Sequence, residues 1–151
     1  MDALRLTIPS LFLSRSERKI LKARIERFEK TSDCEFALHV RRHFAGDDAL
    51  LATRALFFKF GLEKTKSRTA ILLAVALSEH KYAIWADEGV VRRSTDQLFR
   101  DACEIVAKHL KKRERLSAII EVLDLLEKTL AVEQPASPDN KNELSNEPII
   151  E

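Results

Sequence analysis

Three carboxylates and two cations fall at the ends of segments that read as strands. Glu35 opens one alternating segment, Asp87 and Glu88 close another, and Lys66 and Arg68 sit in the connection before a third. If a hairpin brings these ends to one rim, Asp87, Glu88 and Glu35 could hold a divalent cation such as calcium or magnesium. Calcium takes six to eight oxygens, so the three would supply part of its shell. Arg68 would offer a bidentate fork to phosphate, with Lys66 beside it. The competing expectation is structural. Asp supports turns so commonly that Asp87 as a turn cap, with Glu35 paired to a nearby Lys or Arg, explains the same residues.

A second group gathers at the other strand ends: Arg42, His43, Gly46, Asp47, Asp48, Ser78, Glu79 and His80. Open α/β sheets bind ligands beyond the carboxyl ends of parallel strands, so this rim could bring His43 or His80 beside two carboxylates. That set could ligate a transition metal or act as acid and base. The histidine spacing matches no compact metal motif, and exposed loop residues with no common target are the plainer expectation.

The elements that must position these residues follow from capping and periodicity. Ser14 and Glu17 have capping-box spacing, and Ile20, Leu21, Ile25 and Phe28 make one apolar stripe, predicting a helix near 15–31. Residues 35–44 alternate, with Phe36, Leu38 and Val40 on one face. Asp47 or Asp48 caps a second helix carrying Leu51, Ala55, Phe58 and Leu62, and Gly61 stands where a left-handed residue ends it. Residues 69–77 are apolar on both faces, as a central strand covered by helices should be. Tyr82 to Ala86 reads as the second arm of a hairpin. Ser94 with Gln97 repeats the capping spacing ahead of a helix through Leu110, and Leu116 to Leu130 is a last amphipathic helix. The order α-β-α-β-β-α-α holds one βαβ crossover, which makes the first two strands parallel and the third antiparallel. The fold class expected is α/β, a three-layer α/β/α sandwich with a short mixed sheet.

Composition narrows the function classes. The chain has 151 residues, 26 Lys and Arg against 24 Asp and Glu, three Gly and two Cys. A formal net charge of +2 argues against a globally basic nucleic-acid binder. Three glycines leave no Gly-rich phosphate cradle, and no nucleophile elbow, Walker loop, GxGxxG, HExxH or zinc-finger spacing occurs. A phosphatase would therefore rely on a metal-bound water and a positioned Arg. Cys34 and Cys103 form no C-x-x-C pair and read as free thiols. Met1 to Phe12 lacks signal-peptide features, which with the thiols predicts a cytoplasmic protein with no membrane span. Glu133 to Glu151 is polar, proline-broken and net −4, so residues 1–132 are expected to form one domain of net charge +6 with a disordered acidic tail, 133–151, that could fold back over it. The basic clusters Arg41-Arg42, Arg92-Arg93 and Lys111-Lys112-Arg113 lack interleaved exposed aromatics and so support no base-stacking platform. An apolar patch would instead mark a protein partner, if Phe57 or Phe60 were exposed or the last helix continued into another chain.

Over about residues 13–131 the sequence resembles the TPM domain family. The resemblance is carried by Glu29, Thr31 and Glu35; by Phe60-Gly61-Leu62 with Thr65; by the strand Ala70 to Ala76; and by Ile84 with Asp87-Glu88-Gly89-Val90. It departs at Thr69-Ala70, where the family places Asn-Gly, and at Lys111 to Arg115, where many members are Gly-rich. The resemblance implies the TPM fold. Divalent-metal binding, notably calcium, and weak acid phosphatase activity are attributed to some members. The expectation is thus a cytosolic TPM-like binding or accessory domain for a protein partner, with a divalent-cation site at Asp87, Glu88 and Glu35. The alternatives are a weak metal-dependent acid phosphatase using Arg68 and Lys66, and a basic surface module for an acidic partner.

Overall fold

A computed structural model describes residues 9–132 and 146–151. After a 3₁₀ turn at Pro9–Leu11, helix α1 spans Arg15–Ser32, strand β1 Glu35–Arg41 and helix α2 Ala49–Lys59. A second 3₁₀ turn, Leu62–Lys64, leads to β2, Ala70–Ala76, and β3, Lys81–Ala86. One helical turn, α3 at Glu88–Val91, precedes α4, Asp96–Lys111, and α5, Arg115–Leu130; β4, Ile149–Ile150, comes last.

The sheet order is β3-β2-β1-β4. β1 and β2 pair in parallel from Glu35–Ala70 to Arg41–Ala76, and β3 lies antiparallel to β2, as the crossover and hairpin require. Alternation on β2 sorts the layers. Ile71, Leu73 and Val75 enter the larger core with α1, α4 and α5. Ala70, Leu72, Ala74 and Ala76 face α2, where three alanines leave room for Leu56 and the fully buried Phe57. Helices thus cover both faces, giving the α/β/α sandwich.

Local chemistry explains most boundaries. The Ser14 hydroxyl accepts from the Glu17 N–H at 3.1 Å and the Glu17 carboxylate accepts from the Ser14 N–H at 2.8 Å, completing the capping box. Asp48 caps α2 through Leu50 and Leu51 N–H, and Gly61 is left-handed at φ 70°. At Ser94 the expected capping box does not form. Its hydroxyl donates instead to the Val90 carbonyl, finishing the unforeseen turn α3, and Thr95 takes the N-cap position of α4.

The acidic tail also needs correction. Residues 133–145 lie outside the described residues. Ile149 and Ile150, expected to be disordered, add a strand to the edge of β1. Ile150 packs against the core there, and the charges complement one another, Glu147 with Lys22 and Glu151 with Arg41 and Lys59.

Candidate functional site

The first rim is tied by one ion pair. Asp87 caps α3, its Oδ1 accepting from the Glu88 N–H at 2.8 Å, and it takes both ends of the Arg68 fork, Nε to Oδ2 at 2.6 Å and Nη2 to Oδ1 at 2.9 Å. Arg68 sits at φ 55°, and its carbonyl accepts from the Gly89 N–H at 2.8 Å. The sequence therefore brings Arg68 and Asp87 together as expected, but as each other's partners. Glu88 is exposed and faces Arg92 across 3.7 Å, and Lys66 is exposed on the preceding loop.

Glu35 points into a different environment. It hydrogen-bonds Glu29 of α1, and both carboxyl-bearing residues are buried. Glu29 Oε2 accepts from the Phe36 N–H at 3.1 Å. Burial, the hydrogen bond to Glu35 and the charge of Glu35 push the Glu29 carboxyl up from 4.5 to about 9, against a smaller opposing pull from the Phe36 N–H. Glu29 therefore keeps its proton through neutral pH and faces Glu35 with it.

This donor set does not fit a cation. Asp87 is spent on Arg68 and a helix cap, Glu88 points to Arg92, and Glu35 hydrogen-bonds the buried Glu29 carboxyl. Among the described residues no group of three His, Cys, Asp or Glu is arranged to hold a metal ion. Asp87→Ala is accordingly expected to act on stability, lowering it by about 2 kcal/mol through loss of the cap and a charge-assisted hydrogen bond. The ion pair itself adds little, because the Arg68 side chain is 41% exposed and screened by water. Urea unfolding tests this: Asp87→Asn should recover more than half the loss, and a change below about 0.5 kcal/mol in Asp87→Ala would refute the capping role.

The opposite rim is held together by its own loop. The Phe44 N–H donates to Glu79 Oε1 at 2.7 Å, Lys81 Nζ donates to the Asp47 carbonyl at 3.2 Å, and Asp48 is the α2 cap. Arg42, His43 and Asp47 are exposed, and His80 occupies a left-handed turn position at φ 52°. The residues adjoin through their main chain, since Ser78 N–H donates to the Arg42 carbonyl, and no metal cluster forms there among the described residues.

Sequence reasoning missed a groove along β3, a strand whose outer side has no neighbour among the described strands. The groove, about 1060 Å³, runs between the start of α2 and α4. Leu50 and Val91, 49% and 50% exposed, flank it, with Tyr82, Trp85 and Phe99 lining its apolar part. Antiparallel hydrogen-bonded pairs alternate. Because Asp87 N–H bonds to the Ala70 carbonyl, Trp85, Ala83 and Lys81 turn their main-chain groups toward β2, while Tyr82, Ile84 and Ala86 turn theirs outward. The Cys103 thiol meets the Ile84 N–H, and burial pushes that thiol up to about 11, so it is a wall rather than a nucleophile. Asp47, Asp48, Asp96 and Glu104 stand around the groove against one Arg100. Phe58, not Phe57 or Phe60, is the exposed aromatic of α2; Arg54 lies over its ring and over Trp85 at 5.2 and 5.5 Å.

Two arginines tie helices together inside the fold. Arg93 Nη2 donates to the Ser32 and Leu130 carbonyls, each at 2.8 Å, capping the ends of α1 and α5. Buried Arg24 of α1 pairs with Asp124 and Glu127 of α5.

The sequence matches the TPM domain over residues 7–129. The chain belongs to the TPM domain family. No curated protein matches it. Among solved structures, this TPM domain is similar to the BA42 protein of the psychrophilic bacterium Bizionia argentinensis, with a TM-score of 0.80 at 20% identity over 91% of this chain and 94% of that one. It is also similar to the N-terminal domain of the cg2496 protein of Corynebacterium glutamicum, with a TM-score of 0.65 at 15% identity over 83% and 78% of the chains. The N-terminal domain of a P. gingivalis protein gives a TM-score of 0.68 at 18% identity over 85% and 86%. At these identities the likeness shows the fold alone. No helix among the described residues is long and apolar enough to cross a membrane.

Proposed function

We propose that this TPM domain is a binding module that takes an extended partner polypeptide along the outer edge of β3. The observation that carries this reading is the apolar groove into which Tyr82 and Ala86 turn main-chain groups that no other backbone group meets among the described residues. An added strand would gain main-chain bonds at Tyr82 and Ala86, on either side of the Ile84 N–H that the Cys103 thiol meets, while apolar side chains would enter beside Leu50, Val91 and Phe99. The four acids around the groove favour a partner whose apolar residues alternate with Lys or Arg. Short length and Lys81 at its start protect such an edge against indiscriminate pairing.

The test is an amide NMR titration of the full chain with an acetylated, amidated Lys-Val-Lys-Val-Lys-Val peptide. Saturable shifts are expected at Tyr82, Ile84 and Ala86, with affinity weakened at least threefold by Asp96→Lys and by added salt. Absence of shifts on β3, or shifts confined to another surface, would overturn the reading.

A further inference from the structure

The other edge of the sheet is closed by the chain itself. Ile149 and Ile150 pair with His39 and Val40 of β1, and the Glu151 N–H donates to the Val40 carbonyl at 3.1 Å. Beneath this short strand His39 is fully buried, its Nδ1 3.1 Å from the Ile149 carbonyl and its Nε2 3.3 Å from Glu151 Oε2. Arg41 Nη1 approaches the same oxygen at 3.4 Å, and Lys59 Nζ approaches Oε1 at 3.6 Å. β1 and α2 thus converge three nitrogen-bearing side chains on one carboxylate, and the Phe60 ring packs against His39 at 4.9 Å to floor the notch.

The notch and its occupant differ in how they are held. The notch belongs to a strand paired along its whole length with β2 and to a helix packed on the sheet. The occupant meets β1 through two ladder residues, rests Ile150 on the rim of the core and sets Glu151 against the buried His39, while its pairs with Arg41 and Lys59 are partly exposed and each worth under about 1 kcal/mol. Two paired positions against the seven of β1 with β2 make this the shorter ladder of the sheet, and tethering to the same chain sets the effective concentration that a free competitor must exceed. When it leaves, an edge strand, a buried imidazole and two cations face outward together. Strand addition takes affinity from such an edge and specificity from the side-chain pocket beside it.

We propose that the β1 edge is a recognition groove for an extended partner segment carrying two branched apolar residues followed by a carboxylate, and that Ile149-Ile150-Glu151 is its tethered competitor. This edge lies across the sheet from β3, and neither reading depends on the other.

The experiment uses the full chain and a fluorescent, amidated peptide of residues 146–151, so that the final carboxylate is the Glu side chain alone. Glu151→Gln in the chain weakens the internal occupant while leaving the notch intact. The peptide is expected to bind this variant at least tenfold more tightly than the unaltered chain, shifting the amides of His39, Val40 and Arg41. A peptide ending in Gln should lose at least tenfold. Equal affinity for both chains, or no saturable binding to the variant, would overturn the proposal. Concentration-dependent dimerisation of the unaltered chain that disappears in Glu151→Gln would assign the edge to a second copy's segment and overturn the partner assignment.

Discussion

Replacing Glu29 with glutamine is expected to flatten the pH dependence of this domain's stability. In the unfolded chain the Glu29 carboxyl gives up its proton near 4.5, whereas in the fold burial and the neighbouring Glu35 carboxyl hold the proton up to about 9. Between these values the folded state carries a proton that the unfolded state lacks. The group's contribution is therefore fully present below 4.5 and is lost as the pH rises toward about 9. The loss is about 1.4 kcal/mol per pH unit across that window. Glutamine preserves the geometry without the titration: its carbonyl can accept from the Phe36 N–H as Glu29 Oε2 does, and its amide can donate to Glu35. Urea unfolding at pH 6, 7 and 8 should show the variant gaining about 3 kcal/mol over the unaltered chain across those two units. Parallel stability profiles for the two proteins would show that no proton is held by the pair.

Gly89→Ala is expected to cost about 3 kcal/mol, at the upper end for overpacking. A Cβ at this position would stand 2.5 Å from the Ser67 carbonyl oxygen and 2.7 Å from that of Arg68. Both are main-chain atoms, so no side-chain rotation relieves the contact. The loop must move, yet it is pinned by the Gly89 N–H to the Arg68 carbonyl, the Thr69 N–H to Thr65 Oγ1, and the Arg68 fork on Asp87. Thermal unfolding should fall by roughly 10 °C. A loss below about 1 kcal/mol would mean that the loop yields easily, and that the rim is softer than its hydrogen bonds imply.

These two positions lie on the rim where a cation and phosphate site was expected, and both act there as parts of the fold. The placement of the rim was legible. A hairpin returning beside a parallel strand must bring the start of β1 near the end of β3, and an Asp at a strand end is suited to the cap that Asp87 forms. The partners were not legible. Arg68 and Glu29 reach their carboxylates across a loop and a helix end, and a contact of that kind depends on the direction in which α1 and the 65–69 loop pack.

Residue chemistry by itself determined the helices that carry their own caps, the alternation that sorts β1 and β2 between two faces, and the parallel and antiparallel pairings. Each depends on groups within a few residues of one another or on chain connectivity. Ser14 with Glu17, Asp48 and Gly61 all stand where local hydrogen bonding and backbone sterics put them. Tertiary structure alone decided the strand order, and with it which edges of the sheet face outward. It placed β3 at one edge with an acidic-rimmed groove, and it seated Ile149 and Ile150, a run too short to read as a strand, against the other. There Ile150 meets the core, and His39, Arg41 and Lys59, more than ninety positions upstream and on two different elements, converge on the Glu151 carboxylate, a juxtaposition that exists only once β1 and α2 are packed.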